Sequence, residues 1–266
     1  MARLTVVVPC YNEADRLEPA PLRAFVDGRP DASLLLVDDG SSDATGEALE
    51  RLAAQRPERI RALRLTPNRG KAEAVRQGMR EALAAGSDVV GYLDADLSTP
   101  PAETDDLLAA LGRPGVHAAI GARVGMLGYD IERSALRHYL GRVFATAASL
   151  ILRARIYDTQ CGAKLFRAGP ALTGALSAPF LSRWAFDVEL LGRLLIGAPG
   201  VAPLPLGAIV EVPLAIWHDV EGSKLGLAGM ARTARDLALV ARDMTARRRA
   251  VVDQVRDPGR VPRPPR

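Results

Sequence analysis

Cysteine and histidine are scarce in this chain. Of 266 residues only two are cysteines, Cys10 and Cys161, and three are histidines. Two cysteines cannot form a disulfide framework or a cysteine-rich zinc site. The three histidines are scattered along the sequence and show no metal-binding spacing. The chain is therefore neither a disulfide-stapled scaffold nor a cysteine-rich zinc protein.

Long apolar segments are missing as well. Residues 4–8 are too few for the apolar region of a signal peptide. Residues 194–216 are apolar enough to suggest a membrane span, but four prolines and Glu211 interrupt them. We therefore expect a cytoplasmic protein without a spanning helix of its own. Peripheral binding to the inner face of the membrane stays open as an alternative.

Aromatic residues and a strong overall charge are also lacking. Aromatics make up 5% of the chain, and the net charge is +4. Residues 242–266 carry eight Arg and three Asp, so this net of +5 leaves −1 for the other 241 residues. A nearly neutral body with few aromatics does not fit a nucleic-acid-binding protein. The basic tail contains four prolines and is expected to be partly disordered.

What the chain does contain is an alternation of apolar strands and amphipathic helices. Strands are predicted at residues 3–8, 33–37, 60–65, 88–93, 117–121 and 208–217. Helices are predicted from about residue 13, over 42–55 and 70–85, from 100, over 133–152 and 184–196, and from 224 to about 248. This order predicts an α/β fold with a mainly parallel sheet and flanking helices. We expect one domain over residues 1–225, followed by a C-terminal helix and tail over 226–266.

Polar and acidic residues follow the first, second and fourth predicted strands. They are the segments 9–13 (PCYNE), 38–43 (DDGSSD) and 94–96 (DAD). In an open parallel sheet, ligands bind beyond the carboxyl ends of the strands. The three turns are therefore expected to meet at the ligand-binding edge of the sheet.

Two of these turns suggest specific chemistry. Asp94 and Asp96 end a buried strand, and paired carboxylates at such a turn suit Mg²⁺ or Mn²⁺. A carboxylate of Asp38 or Asp39 is suited to accept hydrogen bonds from a nucleobase or a ribose. Both turns also fit a simpler interpretation, in which the acids cap the start of the next helix.

Basic residues supply the remaining candidates. The segment 68–71 (NRGK) opens a helix, where Lys71 suits a phosphate, although the glycines of a Walker loop and of a dinucleotide fingerprint are absent. Arg123, Arg133, Arg137 and Lys224 are each explained by a solvated surface. Together they suit an anionic acceptor, since arginine binds phosphate oxygens in a fork.

These motifs resemble a known family. The ordered segments 8–13 (VPCYNE), 37–43 (VDDGSSD), 68–71 (NRGK) and 94–96 (DAD) are similar to the motifs of family 2 glycosyltransferases with the GT-A fold. The segments 158–167 (DTQCGAKLFR), 183–191 (RWAFDVELL) and 221–225 (EGSKL) resemble the dolichyl-phosphate glucosyltransferase branch. The dolichyl-phosphate mannose synthases are less close, because they carry Gln and Arg where this chain has Ser98 and His218. Phe180 replaces the Gln of processive synthases.

The resemblance implies a role for each matching residue. Residues that bind the nucleotide sugar would be Pro9, Tyr11, Glu13, Val37, Asp39, Lys71, Asp94, Ala95 and Asp96. The metal, Mg²⁺ or Mn²⁺, would lie on Asp94 and Asp96. The acceptor phosphate would be bound by Arg123, Arg133, Arg137, Ser223 and Lys224. Catalysis would involve Asp96, Arg123, Lys224 and Asp158, the last as a base if the acceptor is a hydroxyl, for which Asp187 is the alternative.

The reaction implied is transfer of a hexosyl group, with inversion, from a nucleoside diphosphate sugar to a polyprenyl or dolichyl phosphate. UDP-glucose is favoured as the donor over GDP-mannose. Two alternatives remain: a family 2 enzyme with a soluble acceptor, and a non-catalytic nucleotide-sugar-binding subunit. Contact with a lipid acceptor would come through a membrane surface, reached by residues 133–152 and the basic tail, or through a membrane partner protein.

Overall fold

The computed structural model of the chain describes residues 2–131, 135–198, 200–218 and 227–256. Within these ranges, the side chains of residues 135–138, 227–231 and 254–256 are not described. The strands are β1 (Leu4–Cys10), β2 (Ala32–Asp38), β3 (Ile60–Arg64), β4 (Val89–Leu93), β5 (Ala118–Ala122), β6 (Asp130–Ile131), β7 (Ala163–Arg167), β8 (Ile209–Pro213) and β9 (Ile216–Trp217). The helices are α1 (Pro19–Gly28), α2 (Thr45–Gln55), α3 (Lys71–Ala84), α4 (Thr104–Leu111), α5 (Ala135–Leu152), α6 (Pro170–Ala175), α7 (Phe186–Ile196) and α8 (Leu227–Arg256).

Seven strands form one sheet in the order β3-β2-β1-β4-β7-β5-β8. All its strand pairs are parallel except those of β7, which runs antiparallel to β4 and β5. The pair β6 and β9 forms a separate two-stranded sheet. The predicted α/β fold with a mainly parallel sheet is therefore confirmed.

The continuous apolar runs of β1 and β2 are explained by burial on both faces of the sheet. Side chains of consecutive strand residues point to opposite faces. Val6 and Val8 accordingly pack into one core cluster, and Val7 packs into another. Helices cover both faces of such a sheet, so neither face needs polar residues.

Two predicted elements differ from the structure, and two observed elements were not predicted. The helix expected from about residue 13 begins at Pro19, because side chains from the next turn hold the intervening backbone: Glu13 N donates to Thr45 Oγ1 at 2.8 Å. The strand expected over 208–217 is split into β8 and β9. Strand β7 and helix α6 were not predicted, since Lys164 interrupts the apolar pattern of β7 although its side chain is fully buried.

The C-terminal helix α8 packs against α5 and α7. Leu237, Val240 and Met244 of α8 are buried in one cluster with residues of both partner helices. A Cβ at Gly192 of α7 would overlap the Met244 side chain, so the glycine permits a close approach of the two helices. The proposed division at residue 225 stays a prediction, and residues 257–266 of the tail lie outside the described residues.

Helix α5 has both a packed and an exposed apolar side. Ala148 and Leu152 are buried against α7 and α8. Tyr139, Val143 and Leu150 are exposed by 70%, 69% and 76%. In the described parts of the chain, no helix is long and apolar enough to cross a membrane.

Candidate active site

The turns after β1 and β2 are held together by hydrogen bonds. Asn12 N donates to Ser41 Oγ at 3.0 Å, and Ser42 N donates to Asn12 Oδ1 at 2.9 Å. Asn12 adopts a φ of 52°, a conformation that asparagine tolerates better than most residues. Tyr11 is 48% exposed beside this turn. The turn thus presents an aromatic ring at the carboxyl edge of the sheet.

Other predicted nucleotide-binding residues lie close to the same turn. Pro9 and Val37 are paired partners in β1 and β2. Glu13 forms an ion pair with Arg16 at 2.8 Å. Burial raises the pKa of the Glu13 carboxyl above its usual value, although the Arg16 guanidinium opposes the rise.

Asp39 fixes the start of helix α3. Its buried carboxylate accepts hydrogen bonds from Arg69 N at 2.9 Å, Gly70 N at 2.7 Å and Asn68 Nδ2 at 3.0 Å. Gly70 has a φ of +93°, which favours glycine at this position. Asp39 therefore positions Lys71, the first residue of α3, at the carboxyl edge of the sheet.

Lys71 contacts the first carboxylate of the Asp-Ala-Asp turn. Its Nζ lies 2.6 Å from Asp94 Oδ1. Burial opposes ionisation of Asp94, but the Lys71 ammonium outweighs it, so the pKa of the Asp94 carboxyl lies below its usual value. Asp94 is therefore a carboxylate at neutral pH.

The second carboxylate of this turn faces solvent. Asp96 is exposed, Ala95 between the two acids is buried, and Ser98 N donates to Asp96 Oδ1 at 3.0 Å. Asp94 N donates to the carbonyl oxygen of Gly162 at 3.1 Å, and a Cβ at Gly162 would overlap the Asp94 carboxyl group. Gly162 therefore leaves the space that the Asp94 side chain occupies.

The two carboxylates fit the donor set of a hard divalent cation. The described residues contain no group of three or more His, Cys, Asp or Glu side chains arranged for a metal ion. Mg²⁺ in phosphate-transfer sites is commonly bound by one or two carboxylates together with phosphate oxygens and water. Two carboxylates, Asp94 and Asp96, suffice for such a site, and their role as metal ligands stays a prediction.

Arg123 and Asp158 form a bidentate pair on the other side of the site. Arg123 Nε and Nη2 donate to the two Asp158 oxygens at 2.6 and 2.8 Å. Burial raises the pKa of Asp158, but the hydrogen bonds and charge of Arg123 outweigh it and lower the pKa to about 2. A carboxylate this acidic is a poor proton acceptor at neutral pH.

Asp187, the alternative base, is also occupied. Tyr92 Oη donates a hydrogen bond to Asp187, and Lys164 Nζ lies 2.7 Å from Asp187 Oδ1. Lys164 is fully buried and also donates to the carbonyl oxygen of Cys161. Asp187 therefore neutralises the charge of the buried Lys164 ammonium, which is a structural role.

A cavity of about 620 Å³ joins these groups. Its polar end is lined by Lys71, Asp94, Asp96, Arg123 and Asp158. Its other walls come from α5, from the segment just before α7 and from α8, with the apolar side chains of Leu140, Val143, Phe144, Ala147, Trp184, Ala234 and Leu237. The site therefore combines a charged end with an apolar end.

Sequence reasoning missed two cations of this cavity, Arg142 and Arg183. Nothing in the sequence distinguishes Arg142 from the other charges of α5, and Arg183 lies in the segment 183–191 without an assigned role. Neither has a carboxylate partner among the described residues. Their neighbours come from distant parts of the chain, so no local pattern indicates their position.

Among the five predicted acceptor-binding residues, the structure describes the side chain of Arg123. Arg133, Ser223 and Lys224 lie outside the described residues, and Arg137 lies on α5 with a side chain that is not described. Arg123 lines the cavity with its guanidinium bound to Asp158, and its role toward the acceptor phosphate stays a prediction.

The sequence is similar to those of known proteins. The model of the family described as "Glycosyl transferase family 2" matches residues 5–172. The dolichyl-phosphate beta-glucosyltransferase of Saccharomyces cerevisiae is 31% identical, over 89% of this chain and 73% of its own. That of Drosophila melanogaster is 35% identical, over 84% and 69%. The polyprenol monophosphomannose synthase of Mycolicibacterium smegmatis is 29% identical, over 77% and 76%.

Solved structures show the same architecture. Glucosyl-3-phosphoglycerate synthase from Mycobacterium tuberculosis, in complex with Mn²⁺, uridine diphosphate and glucosyl-3-phosphoglycerate, superposes with a TM-score of 0.65. The two chains are 20% identical, and the match covers 92% of this chain and 80% of that one. At this identity the likeness concerns the fold alone, and the GT-A fold expected from the motifs is confirmed.

Proposed function

Since the chain belongs to glycosyltransferase family 2, we propose that it transfers a hexosyl group from a nucleoside diphosphate sugar to a polyprenyl phosphate. UDP-glucose is the favoured donor, because the relatives that match over most of their length include several dolichyl-phosphate beta-glucosyltransferases. GDP-mannose is the second candidate, since a polyprenol monophosphomannose synthase matches as well.

One observation carries this proposal: the two carboxylates suited to act as a base are both occupied by cations. Asp158 is bound by Arg123 and has a pKa of about 2, and Asp187 is bound by Lys164. A hydroxyl acceptor needs a base to take its proton. A phosphate monoester has a second pKa of about 6 and is largely dianionic at neutral pH, so it needs none. The site therefore favours a phosphate as the acceptor.

The donor would lie between the turns after β1 and β2 and the Asp-Ala-Asp turn. Tyr11 offers an exposed ring for stacking on the base, and Lys71 offers an ammonium for the diphosphate. Asp94 and Asp96 are the residues that would hold Mg²⁺ or Mn²⁺. Such an ion, when bound, neutralises charge on the diphosphate leaving group.

The reaction is an in-line displacement. A phosphate oxygen of the acceptor forms a bond to the anomeric carbon from the face opposite the diphosphate. The bond from that carbon to the diphosphate oxygen breaks, and the nucleoside diphosphate leaves with the electron pair. The protein contributes position and charge stabilisation, with Lys71 on the donor side, where Asp94 and Asp96 would also hold a cation, and arginines on the acceptor side.

A transfer assay tests the proposal. The purified chain is incubated with Mn²⁺ and either UDP-glucose or GDP-mannose. The acceptor is a short-chain polyprenyl phosphate or, in a parallel reaction, 3-phosphoglycerate, and the products are identified by mass spectrometry. We expect hexosyl polyprenyl phosphate, formed faster from UDP-glucose. Transfer to 3-phosphoglycerate alone would instead support the soluble-acceptor alternative. Nucleotide-sugar binding without turnover on any acceptor would support a non-catalytic subunit.

Gly162→Ala tests the space around Asp94. The added methyl group would overlap the Asp94 carboxyl group and displace it. A displacement near 1 Å at a catalytic group commonly lowers the rate by about 10²-fold, and we expect a loss of that size in kcat/KM. Gly207→Ala is the control, because a Cβ at Gly207 meets no atom within 4 Å. Equal rates for the two variants would contradict this role of Gly162.

A polyprenyl phosphate acceptor lies in a membrane, so we propose that this chain binds the membrane surface peripherally. The exposed side chains of Tyr139, Val143 and Leu150 on α5 offer apolar contacts for such a surface. We expect the full chain to float with vesicles that contain anionic lipid. Absence from the floating fraction at low salt, with turnover of a short-chain acceptor intact, would contradict surface binding.

A further inference from the structure

We infer that the apolar end of the cavity holds the first units of the acceptor's hydrocarbon chain, and that Arg142 binds the acceptor phosphate. The apolar end consists of Leu140, Val143, Phe144 and Ala147 of α5 and Ala234 and Leu237 of α8. This inference rests on the proposed function and goes further, because it assigns the residues that select an apolar phosphate ester over a polar one.

Arg142 is positioned like a ligand-binding residue. Its guanidinium carbon lies 4.0 Å from the centre of the Tyr157 ring, and Nη1 donates to the carbonyl oxygen of Tyr157 at 2.9 Å. These contacts fix the guanidinium and leave most of its five N–H groups unused. Arg142 has no carboxylate partner in the described parts of the chain, although it is half-buried in the cavity wall. A half-buried cation without an anion suits an anionic ligand.

The segment under Arg142 is held by hydrogen bonds and adjoins the pair of Arg123 and Asp158. Tyr157 N donates to Glu211 at 2.8 Å, and so does Asp158 N. Glu211 therefore holds Tyr157 and Asp158 together, and through them Arg142 and Arg123. The cations Lys71 and Arg123 at the polar end each have a carboxylate partner, Asp94 and Asp158 respectively.

Arg183 is the other cavity-lining cation that has no carboxylate partner among the described residues, but it lies nearer the donor side. Its side chain packs over Gly70, where a Cβ would lie 2.8 Å from Arg183 Cδ. Gly70 precedes Lys71, which contacts Asp94. We therefore assign Arg183 to the donor side and Arg142 to the acceptor side.

The apolar wall beside Arg142 is fixed and partly uncovered. Val143 is 69% exposed, and Ala234 is also exposed, although both line the cavity. Helix α8 is held there by Asp236, whose Oδ2 accepts a hydrogen bond from Ser182 Oγ at 2.6 Å. An acceptor with a phosphate at Arg142 and an apolar chain complements both the charge and the apolar surface. A polar phosphate ester complements only the charge.

Three variants test this assignment through the KM of the acceptor. Arg142→Gln removes the charge, and loss of a charged hydrogen bond corresponds to about 10- to 100-fold in affinity. Val143→Asn makes the wall polar, and Ala234→Trp narrows the apolar end. For short-chain polyprenyl phosphate we expect each variant to raise KM about 10-fold or more, with the KM of the nucleotide sugar unchanged. With 3-phosphoglycerate as the acceptor, only Arg142→Gln should lower the rate of transfer, because a polar phosphate ester complements the charge and not the apolar wall.

Matched controls lie on α8 outside the cavity. They are Val252→Asn, Arg235→Gln and Ala238→Trp. Thermal unfolding of each variant checks the fold. If the wild type transfers to polyprenyl phosphate but the test variants have the same KM as their controls, the assignment of Arg142 and the apolar end is wrong. The proposed function would then still stand. A wild-type chain that transfers to no polyprenyl phosphate would overturn both.

Discussion

Replacement of Asp96 by Asn should lower kcat of hexosyl transfer by about 10³-fold. Asp96 is exposed and accepts one hydrogen bond, from Ser98 N, which the Asn oxygen can also accept. The substitution therefore removes one negative charge from the proposed cation site with little effect on stability. Initial rates at saturating Mn²⁺ and donor give the measurement.

Asp106→Asn is the matched control for this prediction. Asp106 is an exposed carboxylate on α4, and it does not line the cavity. Its replacement should leave the rate within about twofold of the wild type, since surface substitutions away from a site have small effects. Full activity of Asp96→Asn would remove Asp96 from the catalytic machinery.

Replacement of Asp158 by Asn should lower the free energy of unfolding by about 3 kcal/mol. The Arg123 and Asp158 side chains are exposed by only 14% and 7%, so the substitution leaves a buried guanidinium without its anion. Chemical denaturation of both proteins at pH 7 measures the difference. A matched surface change, Asp27→Asn, removes a well-exposed partner of Arg56 and should cost far less. Equal stabilities of the Asp158→Asn and Asp27→Asn proteins would contradict a strong buried pair.

The same pair gives stability a defined pH dependence. The pKa of Asp158 falls from a usual value of 3.8 to about 2 in the folded protein. A lowered carboxyl pKa contributes stability that is present above pH 3.8 and is lost as the pH falls toward 2. The stability difference between wild type and Asp158→Asn should therefore shrink over that range. A difference that stays constant down to pH 2 would contradict the lowered pKa.

The position of the site was largely predictable from the sequence. Parallel strands end at the same edge of a sheet, so the motifs after β1, β2 and β4 meet wherever such a sheet forms. The fold and the family that those motifs indicated are confirmed. The functions assigned to individual side chains, such as Tyr11 or Lys71, stay predictions.

Other features depend on tertiary contacts that no local pattern shows. A lysine within an apolar run indicates a surface, yet Lys164 is buried because Asp187 lies 2.7 Å from its ammonium. The sequence predicts that Asp39 binds the nucleoside, and this stays a prediction. In the structure its carboxylate accepts hydrogen bonds from residues 68–70, which the sequence did not indicate. Arg142 and α8 enter the cavity only because α5, α7 and α8 pack together.

The proposed catalysis requires Asp94 and Asp96 to bind a divalent cation together with the diphosphate of the donor. Calorimetric titration of UDP into the wild type and into Asp96→Asn, each with and without Mn²⁺, measures this without turnover. We expect Mn²⁺ to tighten UDP binding to the wild type by at least about 10-fold, a coupling of about 1.4 kcal/mol, and to have little effect on the variant. Equal tightening in both proteins, or none in the wild type, would contradict the claim.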